Sequence, residues 1–257
     1  MNRIQNLIED EQVTILRAAA CVAEMTGDGD GEHEQTHCIF TPMHYERNYA
    51  YPLVVWLHGP NDDERQVARV MPLVSTRNYV AVGTRGTHPS RHAPEAYDWS
   101  QTSRHIALAE QRVVSAVAAA RRWLNVAPHR VFLAGYGSGG TMALRIGLNQ
   151  PRAFAGALSI GGPFPSTLRP LSQLHEAREL KIFMTTARDS REYPQAEVCR
   201  HLRLFHAAGM SVDLRQYPCG DELTTNMLSD MDRWIMRQFT ETAPALRDQA
   251  SHRSSGS

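Results

Sequence analysis

The stretch that decides the fold is Arg130–Gly147, RVFLAGYGSGGTMALRIG. Val131 to Ala134 form a short continuous apolar run of the kind that makes a strand buried on both faces. A glycine cluster follows at once, Gly135, Gly137, Gly139 and Gly140, and opens into a segment expected to be helical, with Met142, Leu144, Ile146 and Leu148 as its apolar side chains. A strand, a tight turn and a helix in that order is how a nucleophile elbow is built. Small residues are needed there because the turn is strained and the helix packs close on its strand. An elbow that carries chemistry reads G-x-S-x-G. Here Gly135–Gly139 puts glycine at the centre and Ser138 one place late, while a frame centred on Ser138 would need glycine at 136, where the chain has tyrosine.

Outward from this stretch, strand-like and helix-like segments alternate. On the N-terminal side lie HCIFTP from His37, a turn, and LVVWLHG ending at Gly59, then a helix with Val67, Val70, Met71 and Val74 behind the acidic start Asp62, Asp63, Glu64. A strand over Tyr79–Gly83, a loop at 87–103 rich in His, Pro and Ser, and a helix over 104–125 with Val113, Val114, Val117, Ala120 and Leu124 inward complete that side. On the C-terminal side strands are expected at Ala153–Gly162, Lys181–Ala187 and Val212–Tyr217, with helices at Ala196–Ala208 and Met227–Phe239. Such alternation is the signature of an α/β protein with a doubly wound, mostly parallel sheet and helices on both faces. Residues 2–25 place Ile8, Ile15 and Val22 at a heptad spacing, which predicts an additional N-terminal amphipathic helix that docks on its own domain or on a second copy. The expected division is therefore residues 1–35, N-terminal helix and acidic Gly-rich hinge; 36–240, one α/β domain; 241–257, a disordered polar tail.

Four segments in this order, YPLVVWLHG (Tyr51–Gly59), NYVAVGTRG (Asn78–Gly86), VFLAGYGSGG and YPCGDE (Tyr217–Glu222), resemble the α/β-hydrolase superfamily, in its carboxylesterase, phospholipase and acyl-thioesterase branch. The resemblance spans roughly residues 36–240. It implies the α/β-hydrolase fold and an activity on short acyl esters or thioesters that needs no cofactor. The branch's elbow looks like G-F-S-Q-G-G, so Gly137 falls at the nucleophile and Ser138 at the residue after it. The catalytic histidine lies in a G-H-E-like motif, where this chain has Asp221, and a carboxylate at its usual pKa is a poor base for a hydroxyl. Asp189, in TARDSREYP, fits the triad acid. One oxyanion donor is the N–H after the L-H-G motif containing His58 and Gly59; here that residue is Pro60, which has none, leaving the N–H of Ser138. The resemblance thus implies a pseudoenzyme, degenerate at Gly137, Asp221 and Pro60, that acts by binding a small acyl or anionic ligand. The alternatives are an active carboxylic-ester or thioester hydrolase using displaced Ser138 with Asp189 and a histidine such as His58, His88 or His92, or a module that oligomerises or binds a partner through the N-terminal helix.

Other classes are disfavoured. GYGSGG also satisfies the dinucleotide fingerprint G-x-G-x-x-G, but no Asp or Glu lies between Glu110 and Glu176 to hold a ribose. His88 and His92 are separated by Pro89, and Asp28, Asp30, Glu32 lack the glycine and glutamate of a calcium loop, having His33 and Ile39 instead, so no metal site is expected. With 27 basic and 27 acidic residues the charge is balanced, which argues against nucleic acid or an anionic membrane surface as partner. Four cysteines without ligand spacing and an opening MNRIQNLIED without an apolar run predict a reduced, cytoplasmic protein.

Overall fold

The apolar runs of the sequence become the inner strands of one sheet. The structure, a computed structural model, describes residues 21–26 and 36–240. In chain order the strands are β1 (Cys21–Thr26), β2 (Thr36–Phe40), β3 (Tyr51–Leu57), β4 (Val80–Thr84), β5 (His88–Pro89), β6 (Tyr97–Asp98), β7 (Val126–Tyr136), β8 (Gly156–Ile160), β9 (Ile182–Ala187) and β10 (Val212–Tyr217). The described helices are α1 (Gln66–Val74), α2 (Ser103–Trp123), α3 (Ser138–Asn149), α4 (Leu174–Ala177), α5 (Gln195–Ala208) and α6 (Thr225–Thr240). Eight strands form the main sheet in the order β1-β2-β4-β3-β7-β8-β9-β10, and β5 with β6 make a separate small ribbon. From β4 through β10 the neighbours run parallel, while β1 and β2 add antiparallel edge strands.

Alternation along each inner strand sorts the core into two layers. Val54, Trp56, Ala81, Phe132, Ala134, Leu158, Ile160 and Phe183 point to one face, where α1 and α6 cover them with Val67, Val70, Met71, Leu228, Met231, Trp234 and Ile235. Leu53, Val55, Leu57, Val80, Val82, Val131 and Leu133 point to the other, under α2 and α3. At the β8–β9 end of that second face Ala157, Ile182 and Met184 are covered by α3 and α5. Strands buried on both sides must read as continuous apolar runs, and that is what LVVWL and VFLA are.

The chain leaves β3 toward β4 on one side and, from β7, moves outward through β8, β9 and β10 on the other. The strand order therefore reverses between β3 and β7, and the carboxyl ends of the parallel strands flank a crevice there.

Three expectations are corrected. Cys21–Met25, placed in the N-terminal helix by its apolar spacing, belongs to β1, paired antiparallel with β2; residues 1–20 of that helix, the hinge at 27–35 and the tail at 241–257 lie outside the described residues. Val114, expected inward, is 56% exposed, because α2 turns Val113 and Ala116 to the sheet and leaves the position between them in solvent. Cys38 is disulfide-bonded, against the reading of a fully reduced chain, and Cys199 and Cys219 are free thiols. No helix among the described residues is long and apolar enough to cross a membrane.

Candidate functional site

β7 ends at Tyr136 and α3 begins at Ser138, so the whole reversal rests on Gly137, at φ 53° and ψ −121°. An L side chain is strained in that region and glycine is not. The N–H of Gly137 donates to the Ile160 carbonyl at 2.9 Å, and its carbonyl accepts from Thr141 at 3.0 Å, which fixes the turn between β8 and the first turn of α3. Close packing explains the other glycines: a Cβ at Gly139 would collide with the carbonyl oxygens of Leu57 and His58 at the end of β3. A Cβ at Gly137 would instead point toward Pro60, 3.1 Å from its Cδ.

That direction leads into a cavity of about 520 Å3. Its wall is assembled from residues just past the carboxyl ends of the parallel strands: Pro60 and Asn61 after β3, Gly137 and Ser138 after β7, Gly161 and Pro163 after β8, Ser190 and Glu192 after β9, Gly220, Asp221 and Glu222 after β10. Trp99, Tyr136 and Met227 add apolar surface, and Gln101 and Thr141 add polar groups. Three carboxylates, Glu192, Asp221 and Glu222, stand on the β9–β10 side, and among the described residues that line the cavity there is no histidine, lysine or arginine.

The structure brings Gly137, Ser138, Pro60 and Asp221 to this cavity and leaves Asp189 out of its wall. The Asp221 carboxylate is occupied: it accepts from the N–H of Arg191 at 2.7 Å, from the N–H of Glu192 at 3.3 Å and from the Ser190 hydroxyl. It therefore ties the loop after β10 to the loop after β9. The Tyr136 hydroxyl donates to the Asp221 carbonyl at 3.0 Å, and burial, assisted by the Asp221 charge, pushes the phenol up to about 12. Asp189 has a 62% exposed side chain that reaches Arg188 at 3.4 Å.

The amides at 59–61, directly after the L-H-G strand end, are engaged elsewhere or missing. Gly59 donates to Gln66 Oε1 at 3.0 Å, Pro60 has no N–H, and Asn61 donates to Asp98 Oδ1 at 3.0 Å. His58 is fully buried behind the cavity. Its Nδ1 donates to the Gly59 carbonyl at 2.8 Å, its Nε2 accepts from the Gly86 N–H at 2.8 Å, and burial holds the imidazole below its ordinary pKa. His88 and His92 line a shallower depression with Asp98 and Ser100, on the far side of Trp99. The Ser138 hydroxyl oxygen is buried and has no hydrogen-bond partner.

The fold matches solved structures over most of the chain. A carboxylesterase from Mesorhizobium loti superposes with a TM-score of 0.63 at 15% identity, over 79% of this chain and 94% of that one. A Bacillus cereus carboxylesterase gives 0.61 at 16%, over 80% and 95%. This is the α/β-hydrolase fold. A variant of Arabidopsis thaliana SOBER1 shares it at 20% identity, with a TM-score of 0.58 over 74% of this chain and 100% of that one. No protein-family model and no curated protein sequence matches the chain.

Of the residues that line the cavity, the sequence singles out Pro60, Gly137, Ser138 and Asp221. Sequence reading missed Trp99, Gln101, Thr141 and Glu192. Trp99 and Gln101 come from the His- and Pro-rich loop before α2, whose composition says only that it is a loop, and no local spacing marks which of its side chains fold inward.

Proposed function

We propose that the protein is a non-catalytic member of the esterase-like α/β-hydrolases that binds a small molecule in the cavity at Gly137. One observation carries the reading. The residue at the strained turn between β7 and α3, where the resemblance puts the nucleophile, is a glycine at φ 53° and ψ −121°, so no side chain reaches from it toward the cavity. Two others support it. The Asp221 carboxylate, which the resemblance puts at the position of the general base, is held by the loop at 190–192, and Pro60, which the resemblance puts at an oxyanion donor, has no N–H, a loss that alone costs on the order of a hundredfold in rate. A cavity of about 520 Å3, with Trp99, Tyr136 and Met227 along its wall, fits a small ligand with an apolar body.

A hydrolase using Ser138 is the second reading, favoured by the unpartnered Ser138 hydroxyl. It lacks a base, since both ring nitrogens of His58 are engaged and the cavity wall has no histidine among the described residues. Hydrolysis of a short-chain p-nitrophenyl ester by wild type and Ser138→Ala separates the two. The binding reading expects both proteins to match the buffer rate, and activity that disappears in Ser138→Ala would overturn it.

A further inference from the structure

Arg145 lies on α3 one turn beyond Thr141, a residue of the cavity wall, and is 1% exposed. Its Nε donates to Gln101 Oε1 at 3.2 Å and its Nη2 to Thr167 Oγ1 at 3.2 Å, while Nη1 has no partner. No carboxylate among the described residues pairs with it, and burial alone, unopposed by a neighbouring charge, draws its pKa down. A guanidinium stays ionised even so. A buried cation with an open donor and no counter-charge is costly unless something else supplies the anion. Its neighbour repeats the pattern: the amide nitrogen of Gln101 is also buried and unpartnered. Gln101 lines the cavity and also accepts from Arg145, so its side chain connects the guanidinium to the cavity wall. The strap that brings Thr167 onto Arg145 continues through Leu168 and Arg169, both left-handed at φ 55° and 47°, a conformation that non-glycine residues hold only where the surroundings impose it.

We propose that the inner end of the cavity is a carboxylate site built on Arg145 Nη1 and Gln101 Nε2, and that the ligand is a monocarboxylate whose apolar chain extends along Tyr136 toward Gly137. Access requires the Gln101 side chain to turn and present its NH2 group to the ligand. The opposite wall fixes the remaining charge. Glu192, Asp221 and Glu222 repel a second carboxylate at the outer end, so a dicarboxylate of the same length is a poorer ligand. This site rests on reading the cavity as a binding pocket.

The experiment is calorimetric titration of the full chain with hexanoate, its uncharged counterpart hexanamide, and adipate. Hexanoate is expected to bind about tenfold tighter than hexanamide, as a charge-assisted contact outweighs a neutral one, and tighter than adipate. Arg145→Met replaces a buried charge by an apolar side chain of similar length. It is expected to keep or raise Tm and to bring hexanoate and hexanamide to equal affinity. Should Arg145→Met fail to fold, Gln101→Leu gives the same readout, a severalfold loss confined to hexanoate. Equal affinities in wild type, or a hexanoate preference that persists in the variant, overturn the carboxylate site. If both probes then bind equally, the pocket reading stands without it, and if neither binds at about 10 mM both fall.

Discussion

At the level of single residues, Asp221 is a tie between loops. Its carboxylate accepts from Ser190, Arg191 and Glu192, so a side chain at the rim now joins two loops that belong to different strands. Removing it leaves two backbone N–H groups to water on an exposed loop, a loss of about 1 kcal/mol rather than the larger penalty of a buried orphan. Asp221→Ala is therefore expected to lower the urea midpoint slightly and to speed amide exchange at Arg191 and Glu192. Unchanged exchange there would refute the tie. At this scale the sequence is partly legible. Gly137, Pro60 and Asp221 can be singled out by motif because each follows the end of a strand within a few residues, whereas Gln101 and Arg145 are joined only by the folding of the loop before α2 onto α3. No spacing along the chain encodes that meeting.

At the scale of elements, the turn between β7 and α3 is set by contact as much as by conformation. Gly139 faces the backbone of β3, where a methyl group would meet the carbonyls of Leu57 and His58, while nothing lies within 4 Å of a Cβ placed on Gly220. Gly139→Ala should therefore destabilise by about 1–3 kcal/mol through overpacking, and Gly220→Ala should be neutral or slightly stabilising through the unfolded chain. Parallel urea melts decide it, and equal midpoints for the two variants would contradict the packing account. The same geometry explains the legibility of the elements. Inner strands buried on both faces announce themselves as LVVWL and VFLA, and α6 by its strong apolar face. α2 does not, since its run VVSAVAAA is apolar nearly all round and gives no sign that Val113 is in and Val114 out. β1 escapes sequence reading for a related reason: six residues of an edge strand carry too little pattern to stand against the helical spacing that precedes them.

For the molecule as a whole, three histidines buried among the described residues couple stability to pH. His37, His58 and His201 are each held below the ordinary imidazole pKa, in every case mainly by burial. Above the unfolded value, about 6.5, both states are neutral and pH has no effect through these groups. Below it the unfolded chain takes up protons that the folded chain refuses, so stability falls toward acid by up to about 1.4 kcal/mol per pH unit for each histidine. His58 adds a structural reason: protonating Nε2 would break the bond from Gly86. Urea midpoints are expected to drop between pH 7.5 and 5.5, with a shallower drop in His58→Gln, and a flat profile would overturn the assignment. The sheet and its covering helices thus follow from apolar patterning, while these polar burials do not, since a histidine in a sequence carries no mark of its final surroundings. The rim stitched by Asp221 has one more consequence, in terms of heat and disorder. Loops that are already joined before a ligand arrives have little conformational entropy left to lose, so binding against the β9–β10 wall should release heat without a large opposing entropy of ordering.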